Sequence, residues 1–269
     1  MKRQTALSGK PQDRNNPANW KYSSPDGQGF HAVITPDNSP CRALRMARLN
    51  LPAGQRHVLE NAALETVAGV VAGELDLRAG ATSSRLKKFD AFYLPGGCRA
   101  EVAARTASIL YLGAADYEGV GEFFVRPFAP KLPLGPIRQV HGKPPYERDV
   151  FMAVNPEQPA SRLIAGWTWG QPGGWTSWPP HQHEQHLEEA YAYFDIAPPL
   201  FGLHLSYRAS GQPEAVHKVS SGDFVIAPRG YHPTVAIPGV RNSYFGVLAA
   251  HAHASRRYDL AGPDPLMPG

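Results

Sequence analysis

The segment GWTSWPPHQHEQHLEEAYAYFD, residues 174 to 195, concentrates side chains that bind cations and move protons. Three histidines and three glutamates fall between positions 181 and 189. His181 and His183 are two residues apart, and in an extended chain residues i and i+2 point to one face. Two imidazoles so placed reach a single cation. The run EAYAYFD then alternates, putting Glu189, Tyr191 and Tyr193 on one face and Ala190, Ala192 and Phe194 on the other. A carboxylate at the head of that strand supplies a third ligand. Glu189 is preferred because it stands directly before AYAYFD, with Glu184 and Glu188 as rivals. A fourth ligand is offered by GDFVIAPRGYHP, where His232 follows a PRG turn and Gly230 lets the chain turn without a Cβ penalty. Three histidines and one carboxylate suit one borderline divalent ion, zinc first, with manganese or iron as alternatives. Positions would remain open for water or substrate oxygens.

Strands must position these groups. RALRMARLNL (42–51), LETVAGVVAGELDLRAG (64–80), FDAFYLPGG (89–97) and RTASILYLGAA (105–115) read as strands bounded by turns. So do SRLIAGWTWG (161–170), EAYAYFDI (189–196), LFGLHLSYRA (200–209), EAVHKVSSGDFVIAP (214–228) and NSYFGVLAA (242–250). Long helical periodicity is absent. The Pro-rich stretch 126–150 reads as a connector. DAFYLPGGCRAEV (90–102) echoes GDFVIAPRGYHPTV (222–235), and LPAGQRH (51–57) stands where QPGGWTSWPPHQH (171–183) stands later. A spacing of this kind is too long for a solenoid and points to a duplicated domain. The divisions follow: a polar arm over 1–27, a first domain over 28–130, a linker over 131–147, a second domain over 148–250 and a tail over 251–269.

Composition sets the outer bounds. The chain has 269 residues, 42% hydrophobic and 19% charged, with 27 prolines and 26 glycines spread along it. This describes a turn-rich all-β protein with a sizeable core. The net charge of +4 comes with no basic block longer than LKK (86–88), so no nucleic-acid partner is expected. Cys41 and Cys98 lie outside any CxxC pattern, which favours a reducing compartment. With no apolar secretory core at the start and no apolar run of about 18 residues, a cytoplasmic protein without a membrane partner is expected.

The motifs resemble those of cupin barrels. Gly174, His181, His183 and Glu189 look like the first cupin motif, and Gly222, Pro228, Gly230 and His232 like the second. The spacing departs slightly: six residues separate Gly174 from His181, five separate His183 from Glu189, and one separates Gly230 from His232. GGWTSWPPHQHE, LEEAYAYF and PRGYHPTVAIPG followed by YFGVLA resemble the 5-deoxy-glucuronate isomerases of inositol catabolism, which are two-cupin proteins. The likeness is strong over 160–250 and architectural over the first half. EAYAYFD also looks like the related 5-keto-4-deoxyuronate isomerases. Trp167 stands where the inositol-pathway family leads us to expect an acidic residue.

The resemblance implies two cupin-type β-barrels, a metal in the second, and a metal-dependent aldose–ketose isomerisation of 5-deoxy-D-glucuronate to 5-dehydro-2-deoxy-D-gluconate. Alternatives are 5-keto-4-deoxyuronate isomerisation, an iron-dependent cupin oxygenase, and a non-catalytic sugar-binding bicupin. For the isomerase, Glu188, His186 and Tyr191 are candidates for proton transfer. Arg229, Arg148, Arg162 and Tyr193 are candidates for holding a small anionic sugar acid, because a guanidinium fork matches a carboxylate and a phenol bonds hydroxyls. His57 and Cys98 do not make a convincing site in the first barrel, which reads as structural. A homo-oligomer is an expectation from the resemblance alone.

Overall fold

A computed structural model of the protein describes residues 13–268, so the first twelve residues of the predicted arm lie outside the described residues. The strand-like runs pair antiparallel into two barrels, each made of a large and a small sheet. In the first, the large sheet runs Phe124–Arg126, Ala91–Leu94, Leu64–Ala72, Ser108–Asp116, Arg45–Leu51, Gly29–Ile34. It faces Arg56–Glu60, Arg99–Ala104, Glu74–Ala79, Thr82–Lys87. In the second, the large sheet runs Lys21–Ser23, Asp223–Ala227, Leu187–Tyr193, Arg241–Ala250, Leu163–Pro172, Arg148–Val154, Arg138–His141. It faces Trp175–Thr176, Thr234–Ala236, Gly202–Ser206, Ala215–Val219. The central strands of both barrels occur in the same spatial order, and the echoing runs DAFYL and GDFVIA hold equivalent places.

Three local results differ from the sequence expectation. The run 64–80 is two strands, because Gly73 at φ +84° turns the chain from the large sheet into the small one. A Cβ there would meet the Ala107 carbonyl oxygen at 2.3 Å, so only glycine fits. Within the Pro-rich connector, the proline-free RQVH forms the edge strand Arg138–His141, paired with Arg148–Val154. The polar arm also enters the fold. Lys21–Ser23 pairs with Asp223–Ala227 of the second barrel, and Trp20 is buried in the core between the barrels.

The large sheets pack back to back through Trp167, Phe194, Phe224, Phe245, Val247 and Tyr111. The approach is close because Gly69 and Gly113 lie opposite these side chains. A Cβ on Gly69 would come within 2.5 Å of the Trp167 ring, and one on Gly113 within 2.4 Å of Val247. Two buried carboxylates join the barrels reciprocally. Glu65 of the first accepts from the backbone amides of Ser161, Arg162 and Leu163 at 2.8, 2.5 and 2.7 Å. Glu188 of the second accepts from those of Arg42, Ala43 and Leu44 at 2.8, 2.9 and 2.9 Å. Each carboxylate thus holds the chain as it enters the other barrel's large sheet.

The two interiors differ. The first is built around apolar Leu49, Leu75, Leu77, Phe92, Val102 and Leu110. The second carries Tyr191, Tyr193 and Tyr244 among its apolar groups, and its lumen is correspondingly polar.

Candidate metal centre

His181, His183, Glu189 and His232 each offer one ligand atom, and these atoms all lie within 4.8 Å of one another. Three local structures bring them together. His181 opens the short strand His181–Gln182, which pairs with Gly262–Pro263 of the tail. Glu189 lies in Leu187–Tyr193, where strict alternation points it into the barrel with Tyr191 and Tyr193. His232 follows Gly230, whose φ is +72° and whose added Cβ would meet the Tyr207 carbonyl oxygen at 2.5 Å. His183, Glu189 and His232 are buried, and His181 is half-buried.

The histidines are oriented from behind. Their Nδ1 atoms face backbone carbonyls: Pro179 at 3.0 Å from His181, Leu187 at 3.0 Å from His183, and Gly230 at 2.9 Å from His232. A carbonyl only accepts, so Nδ1 carries the proton and Nε2 of each neutral ring presents a lone pair. Glu189 Oε2 lies 3.0 Å from His183 Nε2 and 3.2 Å from His232 Nε2. The second contact is close but not aligned as a hydrogen bond, and His232 Nε2 is buried without a hydrogen-bond partner. Four acceptors therefore converge. A proton satisfies one contact among them; a divalent cation satisfies all four. Metal–ligand bonds of about 2.0–2.2 Å separate opposed ligands by roughly 4 Å, which this cluster spans with small adjustment.

The charges respond to this crowding. Burial pushes the Glu189 carboxyl up, but His183 and His232 overcome it and hold the group below the usual carboxylate range. Burial pushes His183 down, and Glu189 reverses that, leaving it raised. Burial, with His232 beside it, takes His181 down to about 4, so this ring is neutral and ready to ligate at physiological pH.

Deeper in the barrel, polar groups continue from the cluster. Tyr191 OH bonds Ser177 Oγ at 2.8 Å. Tyr193 OH bonds His204 Nδ1 at 2.8 Å and Thr234 Oγ1 at 2.9 Å. Asn242 Nδ2 donates to Thr176 Oγ1 at 2.8 Å and to Thr234 Oγ1 at 3.2 Å. Tyr191 packs against His204, Tyr244 and His232 at centroid distances of 4.8, 4.6 and 6.0 Å.

A family model described as the KduI/IolB family matches residues 20–261. The chain belongs to the KduI/IolB family. Among curated KduI/IolB-type relatives, the 5-deoxy-glucuronate isomerase of Geobacillus thermodenitrificans is 33% identical over 119 residues, 41% of this chain and 43% of that one. The enzyme of the same name from Bacillus subtilis (strain 168) is 29% identical over 108 residues, covering 37% and 40%. The matched stretch thus spans less than half the length of these relatives. An IolB-like protein from Salmonella typhimurium LT2 has a solved structure that superposes with a TM-score of 0.79 at 25% identity, covering 92% of this chain and 97% of that one. Bacillus subtilis oxalate decarboxylase superposes with a TM-score of 0.60 at 14% identity, covering 86% and 77%, a likeness of fold. The all-β, two-cupin architecture is thereby shown.

In this KduI/IolB chain the remaining candidates separate. Tyr191 and Tyr193 line the lumen beside the four-ligand cluster. Arg148 is half-buried on the same inward parity as Val150 and Met152, and its Nη1 donates to the Trp178 carbonyl at 3.1 Å. Most of the other candidates make their contacts elsewhere. Glu188 faces the other barrel and holds residues 42–44. Glu184 accepts from the Gly230 amide at 3.0 Å. His186 shares a small cavity with the cluster residue His183, together with Gln182, Glu184 and Leu260. Arg162 pairs with Glu118 and lies 3.7 Å from Asp116. Arg229 donates to the Asn15 carbonyl at 2.8 Å and sits 5.4 Å over the Trp20 ring, held by the N-terminal segment. Trp167 lies in the inter-barrel core and not in the lumen. Sequence reasoning missed Ser177, His204, Thr234 and Asn242. The alternation of LFGLHLSYRA carried a signal for His204, but inward direction needs the partner sheet.

In the first barrel the counterpart of Glu189 is Thr66. Thr66 pairs with Leu94 before Pro95, as Glu189 pairs with Ala227 before Pro228. Its cavity of about 420 Å³ includes Phe30, His57, Leu59, Thr66 and Leu112, with His57 stacked on Phe30 at 5.7 Å.

Proposed function

We propose that the chain is a metal-dependent aldose–ketose isomerase that converts 5-deoxy-D-glucuronate to 5-dehydro-2-deoxy-D-gluconate, the reaction of myo-inositol catabolism. The observation that carries this reading is the coincidence of two things. The relatives bear the name 5-deoxy-glucuronate isomerase, and the chain brings a three-histidine, one-carboxylate cluster to the head of a polar barrel lumen. Zinc is the proposed ion, with His181, His183, Glu189 and His232 as its ligands.

Isomerisation removes a proton from the hydroxyl-bearing carbon next to an aldehyde and returns one to the aldehyde carbon. Negative charge builds on the carbonyl oxygen in between. A divalent ion held by the four ligands supplies Lewis-acid stabilisation of that charge. Tyr191 is proposed to assist from the protein side. Burial, together with Glu189, pushes its phenol well above the ordinary value, so it keeps its proton and donates a hydrogen bond rather than acting as a base. Ser177, at 2.8 Å, orients that hydroxyl. Arg148 is proposed to take the substrate carboxylate, since it is the arginine candidate on the inward face of the second barrel, whereas Arg162 is paired with Glu118 and Arg229 is held by the N-terminal segment.

The test is an NMR assay of 5-deoxy-D-glucuronate with the zinc-loaded protein, run beside an oxygen electrode. Conversion to the ketose without oxygen uptake is expected. No conversion at high protein concentration, or conversion that consumes oxygen, defeats the reading.

A further inference from the structure

The Gly202–Ser206 strand is buried at positions 202, 204 and 206 and half-buried between them, so His204 and Ser206 point into the second barrel together. Its register against the neighbouring strand pairs His204 with Thr234, and the bridge between Tyr207 and Tyr231 continues that register. Ser206 is therefore directly across from the ligand His232, and opposed residues on one face have Cβ atoms about 4.5–5.5 Å apart. Asn242 joins the same region through its bond to Thr234.

Each of these three side chains keeps one polar atom without a hydrogen-bond partner in the protein: His204 Nε2, Ser206 Oγ and Asn242 Oδ1. All three residues are at most 1% exposed. Their other polar atoms, where present, are held in place: His204 Nδ1 by Tyr193, and Asn242 Nδ2 by Thr176 and Thr234. Buried polar groups are paired in native proteins unless something else meets them. Ser206 stands across from His232, and His204 and Asn242 adjoin through Thr234, so the three unpaired atoms belong to one stretch of the barrel wall that begins at the cluster.

The chemistry of the set selects its ligand. A serine hydroxyl, an amide oxygen and an imidazole nitrogen are neutral. Burial, with His232 and His217 nearby, keeps His204 uncharged. Neutral groups that donate and accept match hydroxyls, which also do both, and bring no positive charge to pair with a carboxylate. We propose that His204, Ser206 and Asn242 form the wall that reads the hydroxyl groups of an open-chain sugar acid beside the four-ligand cluster. This rests on the site assigned above to the isomerase and orients its substrate, with hydroxyls inward and the carboxylate left to Arg148.

The test is calorimetric binding of D-gluconate, an open-chain polyhydroxy acid, to the zinc-loaded protein and to Ser206→Ala and His204→Asn. Hexanoate, of equal length and charge but without hydroxyls, is the control. Wild type is expected to bind gluconate, and each variant to bind it about tenfold more weakly, as loss of one such bond implies. Hexanoate affinity and zinc content are expected to be unchanged. Equal gluconate affinity in all three proteins would overturn the proposal, as would a wild type that does not distinguish gluconate from hexanoate. Variants that lose zinc in parallel with gluconate affinity would also overturn it, because the effect would then run through His232. Should 5-deoxy-D-glucuronate fail to turn over while the gluconate pattern holds, the isomerase reading falls and the hydroxyl wall stands.

Discussion

Adjacent residues can have opposite duties, and Glu188 and Glu189 show why. Alternation along Leu187–Tyr193 sends their side chains to opposite faces of one sheet. Glu189 meets three imidazoles, whereas Glu188 meets three backbone amides of the other barrel. Their substitutions should separate cleanly. Glu189→Gln, His183→Ala and His232→Ala are each expected to remove most bound zinc while the fold persists, as read by elemental analysis and circular dichroism. Stoichiometric zinc in any of them would remove that residue from the ligand set. Glu188→Ala is expected to leave zinc at one equivalent per folded chain but to lower stability by about 3–5 kcal/mol, because three amides, two of them buried, lose their acceptor. Denaturant unfolding checks this, and an unchanged midpoint would contradict the clamp.

At the scale of elements, the strand His181–Gln182, which carries the first proposed ligand, is only two residues long and has little pairing of its own. Its partner is Gly262–Pro263 in the tail. That tail is anchored by Asp264, whose amide donates to the Pro180 carbonyl at 2.7 Å and whose carboxylate accepts from Tyr207 and Ser210 at 3.0 and 2.5 Å. Trp178 Nε1 also donates to the Pro268 carbonyl at 3.0 Å. The tail over 251–269 thus holds His181, the first proposed ligand, in place. Asp264→Ala is expected to weaken zinc binding by about tenfold, the scale of an outer-shell loss, with the large sheets intact. Competition against a chelator measures it, and wild-type zinc affinity would show that the tail does not position His181.

For the whole molecule, the question is why a barrel without the ligand set is retained. The reciprocal carboxylates and the aromatic layer between the sheets make each barrel part of the other's support. Gly113 lies directly against Val247 in this layer, where an added Cβ would come within 2.4 Å. Gly113→Val is expected to cost about 1–3 kcal/mol through overpacking against Val247, seen as a lower melting temperature, with zinc content per folded chain unchanged. A variant as stable as wild type would mean that the two sheets can separate at that point without loss.

How much of this was legible beforehand follows from where each property is encoded. Histidine and glutamate spacing, period-two alternation and the PRG turn are local, so the grouping of His181, His183, Glu189 and His232 and a duplicated all-β chain could be read from the sequence, and the barrels came with the resemblance to cupins. The placement of Tyr191 and Tyr193 with Glu189 came from the same parity. Alternation tells two faces apart but not what each face meets. Only the packed structure decided that Glu188 grips residues 42–44, that Arg229 and Arg162 are held elsewhere, and that Trp167 lies between the barrels. It also decided that His204, Ser206 and Asn242 meet inside one lumen. These are contacts between segments far apart in sequence, and no local pattern records them, because the neighbour that gives each residue its role arrives only when the sheets close.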